Sequence, residues 1–168
     1  MPGQPAVACI ALGANIGEPV RQIEAACAAL SALPATRLVA RSSLYRSAPV
    51  GYADQPDFIN AVAVIETALQ PHALLDALLA IERANGRVRE FPNAPRTLDL
   101  DIVLYGDVVL HEPGLTIPHA RMLERAFVML PLAEVAPDAV VPGHGRVQEL
   151  AARTDRAAIA QLQRMPAS

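Results

Sequence analysis

The sequence predicts an α+β sandwich, a sheet that is at least partly antiparallel with helices packed on it. Three observations carry this. The chain has 168 residues, is 52% hydrophobic and only 18% charged, so it can bury a single core and is not disordered. Strand-like and helical patterns follow one another in the order βαββαββαα. Several neighbouring strands are separated only by short turn-forming segments, which suits hairpins. No internal repeat or long linker divides the chain, so one domain over residues 1–168 is expected.

The elements read as follows. Residues 7–12 form a buried strand, ended by Gly13-Ala14-Asn15-Ile16-Gly17. Pro19 suits the first turn of a helix carrying Ile23, Cys27 and Leu30 at helical spacing, and Pro34 stops it. Residues 37–46 read as one strand with Leu38, Ala40, Ser42 and Leu44 on a common face. Residues 47–57 carry Pro49, Gly51, Asp54 and Pro56 and form a loop, before a third strand at 58–66. Pro71 opens a second helix with an apolar stripe of Leu74, Leu75, Leu78 and Ile81, capped by Gly86. After a polar loop, residues 98–105 are the most strand-like of all, and Gly106-Asp107 turns into a return strand at 108–110. A helix is expected over 120–134 and a last one over 147–163, with Pro142-Gly143-His144-Gly145 as a turn between them. Together these elements predict a ferredoxin-like α/β sandwich with a mixed, mostly antiparallel sheet.

Composition excludes several kinds of function. A net charge of -3 argues against a broad basic surface for nucleic acid. All 14 basic residues are arginine. Lysine-dependent chemistry is therefore excluded, and a phosphate-handling site must use arginine forks, backbone amides and metal ions. Cys9 and Cys27 fall in apolar patterns and read as buried thiols, with no metal or disulfide spacing. No signal core or run of 18 apolar residues is present, so a cytoplasmic location with no membrane contact is expected.

The sharpest feature is Pro95-Arg96-Thr97-Leu98-Asp99-Leu100-Asp101-Ile102. In a strand, Asp99 and Asp101 project side by side. Parallel carboxylates repel unless a cation lies between them, and magnesium takes one or two carboxylates plus phosphate oxygens and water. A solvated acidic edge strand is the bland alternative. Arg87, Arg89 and Arg96 bracket the preceding loop and supply forks for a polyphosphate, or else simple solvation. Glu82, in the last turn of its helix, is either exposed or turned to a ligand. Phe58 and Asn60 share a strand face and Phe127 lies in a helix; they pack in the core or form a slot for a flat heterocycle with Asn60 on its edge. His119 either donates to phosphate or is surface polarity. Gly13 and Gly17 lack dinucleotide-fingerprint spacing.

These residues resemble one family, the 6-hydroxymethyl-7,8-dihydropterin pyrophosphokinases. The likeness runs from Ile10 to about Pro142. It rests on Leu12-Gly13-Ala14-Asn15-Ile16-Gly17, on Leu44-Tyr45-Arg46-Ser47-Ala48-Pro49-Val50-Gly51, and on Gln55-Pro56-Asp57-Phe58-Ile59-Asn60. It continues through Ile81-Glu82, Gly86-Arg87-Val88-Arg89, the acidic strand, Leu115-Thr116-Ile117-Pro118-His119 and Arg125-Ala126-Phe127. The resemblance implies transfer of pyrophosphate from ATP to the pterin hydroxymethyl group, a step of folate synthesis. It implies that Asp99 and Asp101 hold two magnesium ions and that Arg87 and Arg96 grip the transferring group. Glu82, Arg87, Arg96, Ile102, Thr116, His119 and Arg125 would lie along ATP. Phe58 and Phe127 would sandwich the pterin, with Asn60 on its edge and the backbone around Ser47, Ala48 and Val50 closing the pocket. The loops 47–54 and 87–95 would close over the substrates. The expected partners are small molecules alone, with no nucleic acid and a monomeric chain. Residues 90–94, Leu79, Gly114 and Ala120 depart from the pattern of some members. A non-catalytic binding module on the same fold is the alternative, which retention of both aspartates disfavours.

Overall fold

The computed structural model describes residues 4–48, 54–85, 98–154 and 163–165. Its main sheet is built around strand β1 (Ala6–Ala14), which pairs with β4 (Phe58–Thr67) on one side and β5 (Asp99–Tyr105) on the other. The far edge of β4 is shared by β2 (Thr36–Arg41) and β3 (Leu44–Ser47), and β10 (Gln163–Met165) pairs with β3. Every strand pairing among the described residues is antiparallel. Two small hairpins lie outside this sheet: β6 (Leu110–Glu112) with β7 (Leu115–Ile117), and β8 (Val140–Val141) with β9 (Gly145–Arg146).

Alternation along β1, β4 and β5 sends side chains to two faces, and both are covered. On one face Ile10, Leu12, Ala63, Ile65, Leu100 and Ile102 pack against helices α1 (Pro19–Ser31) and α2 (Pro71–Ala84). On the other, Cys9, Val62, Val64 and Val103 pack against α3 (Ala126–Val135) and α4 (Val147–Ala152). The α+β sandwich expected from the sequence is therefore present, with helices on both sides of the sheet.

Several expected boundaries move, each for a local reason. The first strand continues through Gly13 to Ala14, because the ladder to β4 is unbroken to Ile59. The strand expected at 37–46 is cut at Ser42 and Ser43. There the Val62 N–H donates to Ser42 Oγ at 2.9 Å, and Glu134 Oε2 accepts from both the N–H and the hydroxyl of Ser43. A side-chain oxygen thus replaces a backbone partner and ends the run. The return strand at 108–110 does not pair with β5; Leu110 opens the β6–β7 hairpin instead, turned at Gly114, where φ is +82°. The helix expected from residue 120 begins only at Ala126, after a 3-10 turn over Met122–Glu124. Helix α4, expected to run to 163, ends at Ala152; residues 155–162 lie outside the described residues, and Gln163 belongs to β10. The turn at 142–145 is where the sequence puts it, between β8 and β9. Gly86 and the loop that follows α2 lie outside the described residues.

The loop from β1 to α1 needs its glycine. Gly17 has φ +74°, and a Cβ there would come within 2.5 Å of Gln22 Oε1. Gln22 in turn accepts from the Glu18 N–H and donates to the Ile16 carbonyl, closing the loop in place of an N-cap side chain.

Candidate active site

The floor of the site is a row of residues across the sheet. Asp99 of β5 faces Gly13 of β1, Gly13 faces Asn60 of β4, and Asn60 faces Tyr45 of β3. One step along, Asp101 faces Ala11. Directly opposed residues project to the same face, so both aspartates and the asparagine stand on the side covered by α3. Gly13 puts no side chain between them.

Strand β5 is braced from behind. Glu82 is 2% exposed, and its Oε2 accepts the Leu100 N–H at 2.7 Å, between the two aspartates. The carboxylate is therefore buried, not the exposed group that one reading of its helix position offered. Farther along, a bulge pairs Cys9 with Leu104 but Ile10 with Ile102, leaving Val103 extra. The Val103 carbonyl accepts the His119 N–H at 3.0 Å, which pins the segment entering the 3-10 turn against β5.

The other end of the cleft is aromatic and polar. Phe58 and Phe127 are half-buried and both line it. The Arg125 guanidinium lies 5.5 Å from the Phe127 ring centroid, within cation–π range. Asn60 is 4% exposed; its Nδ2 donates to Ser47 Oγ at 2.7 Å. Among the described residues nothing donates to its Oδ1. A buried acceptor in a cleft wall calls for a ligand N–H. Asn15, 2% exposed, donates to Gln55 Oε1 at 2.7 Å and to the Pro56 carbonyl at 3.0 Å, tying the first loop to the approach to β4.

The cleft holds about 200 Å³. Its walls bring together Ser47, Ala48, Phe58, Asn60, Asp99, Asp101, Arg125 and Phe127, all expected from the sequence. Six further residues there were not expected as site residues: Ala11, Leu12, Gly13, Arg121, Glu124 and Val128. Only Gly13 left a sequence signal, as a glycine beside an apolar strand. His119 sits next to this wall. Burial chiefly lowers its pKa below the usual imidazole value, opposed by Asp101. Its Nδ1 accepts the Arg121 N–H at 3.2 Å, which leaves Nε2 as the donor of the neutral ring. Glu82, Ile102 and Thr116 do not line the cleft; Ile102 is 4% exposed in the layer under α1 and α2, and Thr116 is half-buried in β7. Val50, Arg87 and Arg96 lie outside the described residues.

Residues 9–137 match the family model of the 7,8-dihydro-6-hydroxymethylpterin-pyrophosphokinases (HPPK). The chain belongs to this pyrophosphokinase family. It is 54% identical over 143 residues to the 2-amino-4-hydroxy-6-hydroxymethyldihydropteridine pyrophosphokinase of Pseudomonas aeruginosa, covering 85% of this chain and 88% of that one. The Haemophilus influenzae pyrophosphokinase is 52% identical, with 85% and 89% covered. Among solved structures, wild-type Plasmodium falciparum HPPK-DHPS, crystallised with pterin and p-hydroxybenzoate, superposes with a TM-score of 0.69. At 15% identity that likeness speaks for the fold; it covers 89% of this chain and 43% of the other. As a pyrophosphokinase the chain is a transferase of folate synthesis, moving pyrophosphate from ATP to hydroxymethyldihydropterin. No helix among the described residues is long and apolar enough to cross a membrane.

Proposed function

We propose that the two ends of the cleft divide the substrates of this pyrophosphokinase between them. The observation that carries the reading is the row Asp99–Gly13–Asn60, which sets a carboxylate and a buried acceptor on either side of a bare strand position. The pterin lies at the aromatic end, between Phe58 and Phe127, and offers a ring N–H or amino group to Asn60 Oδ1. Ser47, Ala48 and the backbone near Val50 close that pocket. ATP lies at the carboxylate end, near His119 and Arg125, with Glu82, Ile102 and Thr116 supporting that side from α2, β5 and β7.

The donor set fits magnesium. Asp99 and Asp101 are half-buried hard-oxygen ligands on one strand face, and among the described residues no third acidic, histidine or cysteine ligand joins them. Two carboxylates suit an ion that takes its remaining ligands from phosphate and water. Asp99 and Asp101 would hold two such ions, which when bound neutralise phosphate charge. Arg87 and Arg96 would meet the transferring group with planar forks.

The chain's own residues then orient the reaction. Stacking and the Asn60 acceptor set the pterin plane, so that the hydroxymethyl group projects over Gly13 toward the phosphates. Its oxygen bonds to the β-phosphorus as the bond from that phosphorus to the α,β-bridging oxygen breaks. AMP leaves with that oxygen, and the hydroxyl proton is released. We expect a monomer in the cytoplasm with no nucleic-acid partner. The test is nucleotide analysis after incubation with ATP, magnesium and 6-hydroxymethyl-7,8-dihydropterin. AMP should form only with pterin present and stop with EDTA; ADP as the main product would overturn the reading.

A further inference from the structure

One ion pair in the cleft has no part in the roles above. Arg121 and Glu124 both line the cavity, and Arg121 Nε lies 3.4 Å from Glu124 Oε2. Their backbone is firmly held. The Arg121 N–H donates to His119 Nδ1, the Met122 N–H to the His119 carbonyl at 3.2 Å, and the Glu124 N–H to the Arg121 carbonyl at 3.1 Å. Met122 between them is 1% exposed in the core under α3.

The side chains are held far less. They are 62% and 70% exposed, and the contact is a single long approach, not a bidentate fork. Such a pair has little net strength in water. An incoming polyanion with several charged oxygens competes well for the guanidinium, because Arg–phosphate hydrogen bonds are charge-assisted and can be paired. Arg121 also belongs to the carboxylate end of the cleft. Its charge acts on His119 together with those of Asp101, Arg125 and Asp99.

We propose that Arg121 binds phosphate oxygens of the nucleotide and that Glu124 is the counter-ion it leaves when the nucleotide enters. The proposal rests on the pyrophosphokinase reading. It makes the two residues act with opposite sign: the arginine contributes affinity, and the glutamate competes for it.

The experiment is calorimetric titration of wild type, Arg121→Ala, Glu124→Gln and the double variant with magnesium and an α,β-methylene analogue of ATP. A parallel titration uses the pterin alone. Arg121→Ala should weaken analogue binding by about tenfold, the loss of one charged hydrogen bond. Glu124→Gln should tighten it by about two- to threefold, the release of an exposed ion pair. The double variant should match Arg121→Ala, because the glutamate acts only through the arginine. Pterin affinity should stay unchanged in all. Unaltered analogue affinity in both single variants, or weakening in both, would overturn the proposal and make the pair a brace of the turn. Glu124→Gln alters no backbone contact, so it keeps the test decisive if Arg121→Ala folds poorly. Failure of the wild type to bind the analogue would overturn both this proposal and the pyrophosphokinase reading; wild-type binding with unresponsive variants overturns this proposal alone.

Discussion

Two aspartates on one strand face work against each other in the absence of a cation, and that repulsion makes their role testable. Asp99→Asn and Asp101→Asn keep the side-chain shape, relieve the repulsion and leave the Glu82 brace on Leu100 intact. Each should retain the wild-type thermal midpoint or exceed it, while lowering kcat by at least about 100-fold, because the magnesium that would offset the phosphate charge is no longer held. A variant with more than a tenth of wild-type turnover would show that the metal is held elsewhere. Cys9 carries a different residue-scale prediction. Burial pushes its thiol from 9.0 up to about 12, with the side chain 2% exposed. The folded state therefore keeps the proton longer than the unfolded state. The stabilising contribution is complete below pH 9.0 and is lost as pH rises toward 12. Urea midpoints should fall between pH 9 and 10.5, and Cys9→Ala should flatten that decline from a lower starting stability. An equal decline in both proteins would assign the loss to other groups. The buried thiol, the acidic pair and the aromatic residues were all legible in the sequence, because each is a matter of residue type and period. The burial of Glu82 was not. A carboxylate at the end of a helix looks solvated until the neighbouring strand supplies an N–H for it.

At the scale of elements, the central question is why β1 carries a glycine where its partners carry Asp99 and Asn60. The backbone does not require it, since Gly13 has no positive φ, and glycine weakens a strand. A Cβ at that position would lie 3.4 Å from Asn60 Oδ1, the acceptor offered to the ligand. Gly13→Ala should therefore leave the thermal midpoint equal or higher. It should weaken pterin binding by about 1–3 kcal/mol, as overfilling a close-packed site does. Equal pterin affinity in the variant would show that the ring does not lie over β1. The sequence placed Gly13 in a terminating loop, because a glycine after an apolar run reads as a turn. The ladder from β1 to β4 carries it into the strand, and the residues across that ladder turn it into part of the cleft floor. The same kind of override cut the strand at Ser42 and delayed α3 to Ala126. In both cases a long-range hydrogen bond, Val62 N–H to Ser42 Oγ or His119 N–H to the Val103 carbonyl, outweighs the local pattern.

For the whole molecule, the cleft joins the sheet to the layer of α3, because its walls come from β1, β3, β4 and β5 on one side and from residues 121–128 on the other. Ligands that fill it bridge elements that otherwise meet mainly through the apolar cluster of Val62, Val64, Val128, Met129 and Leu132. The magnesium complex of a non-hydrolysable ATP analogue and the pterin should each raise the thermal midpoint. Each should add about 2.7 kcal/mol of stability at 100 times its Kd, by preferential binding to the folded state. Differential scanning calorimetry checks this, and no shift at these ligand concentrations would show that the folded chain does not bind the ligand preferentially. The glutamate clamp of Glu134 on Ser43 and Tyr45, whose hydroxyl donates at 2.7 Å, also joins α3 to the strand that carries Ser47. It comes from residues 89 and 91 positions apart, so no local pattern could announce it. The sequence by itself determined the fold class, the strand that holds the acidic pair and the family, because hydrophobic period and motif spacing are local properties of the chain. Tertiary structure alone decided that Asp99, Gly13 and Asn60 share one row and that Arg121 and Glu124 join their cleft. It also buried Glu82 behind β5. Strand register and the packing of distant segments are set by pairing between residues far apart in sequence, and neither is encoded in any single stretch.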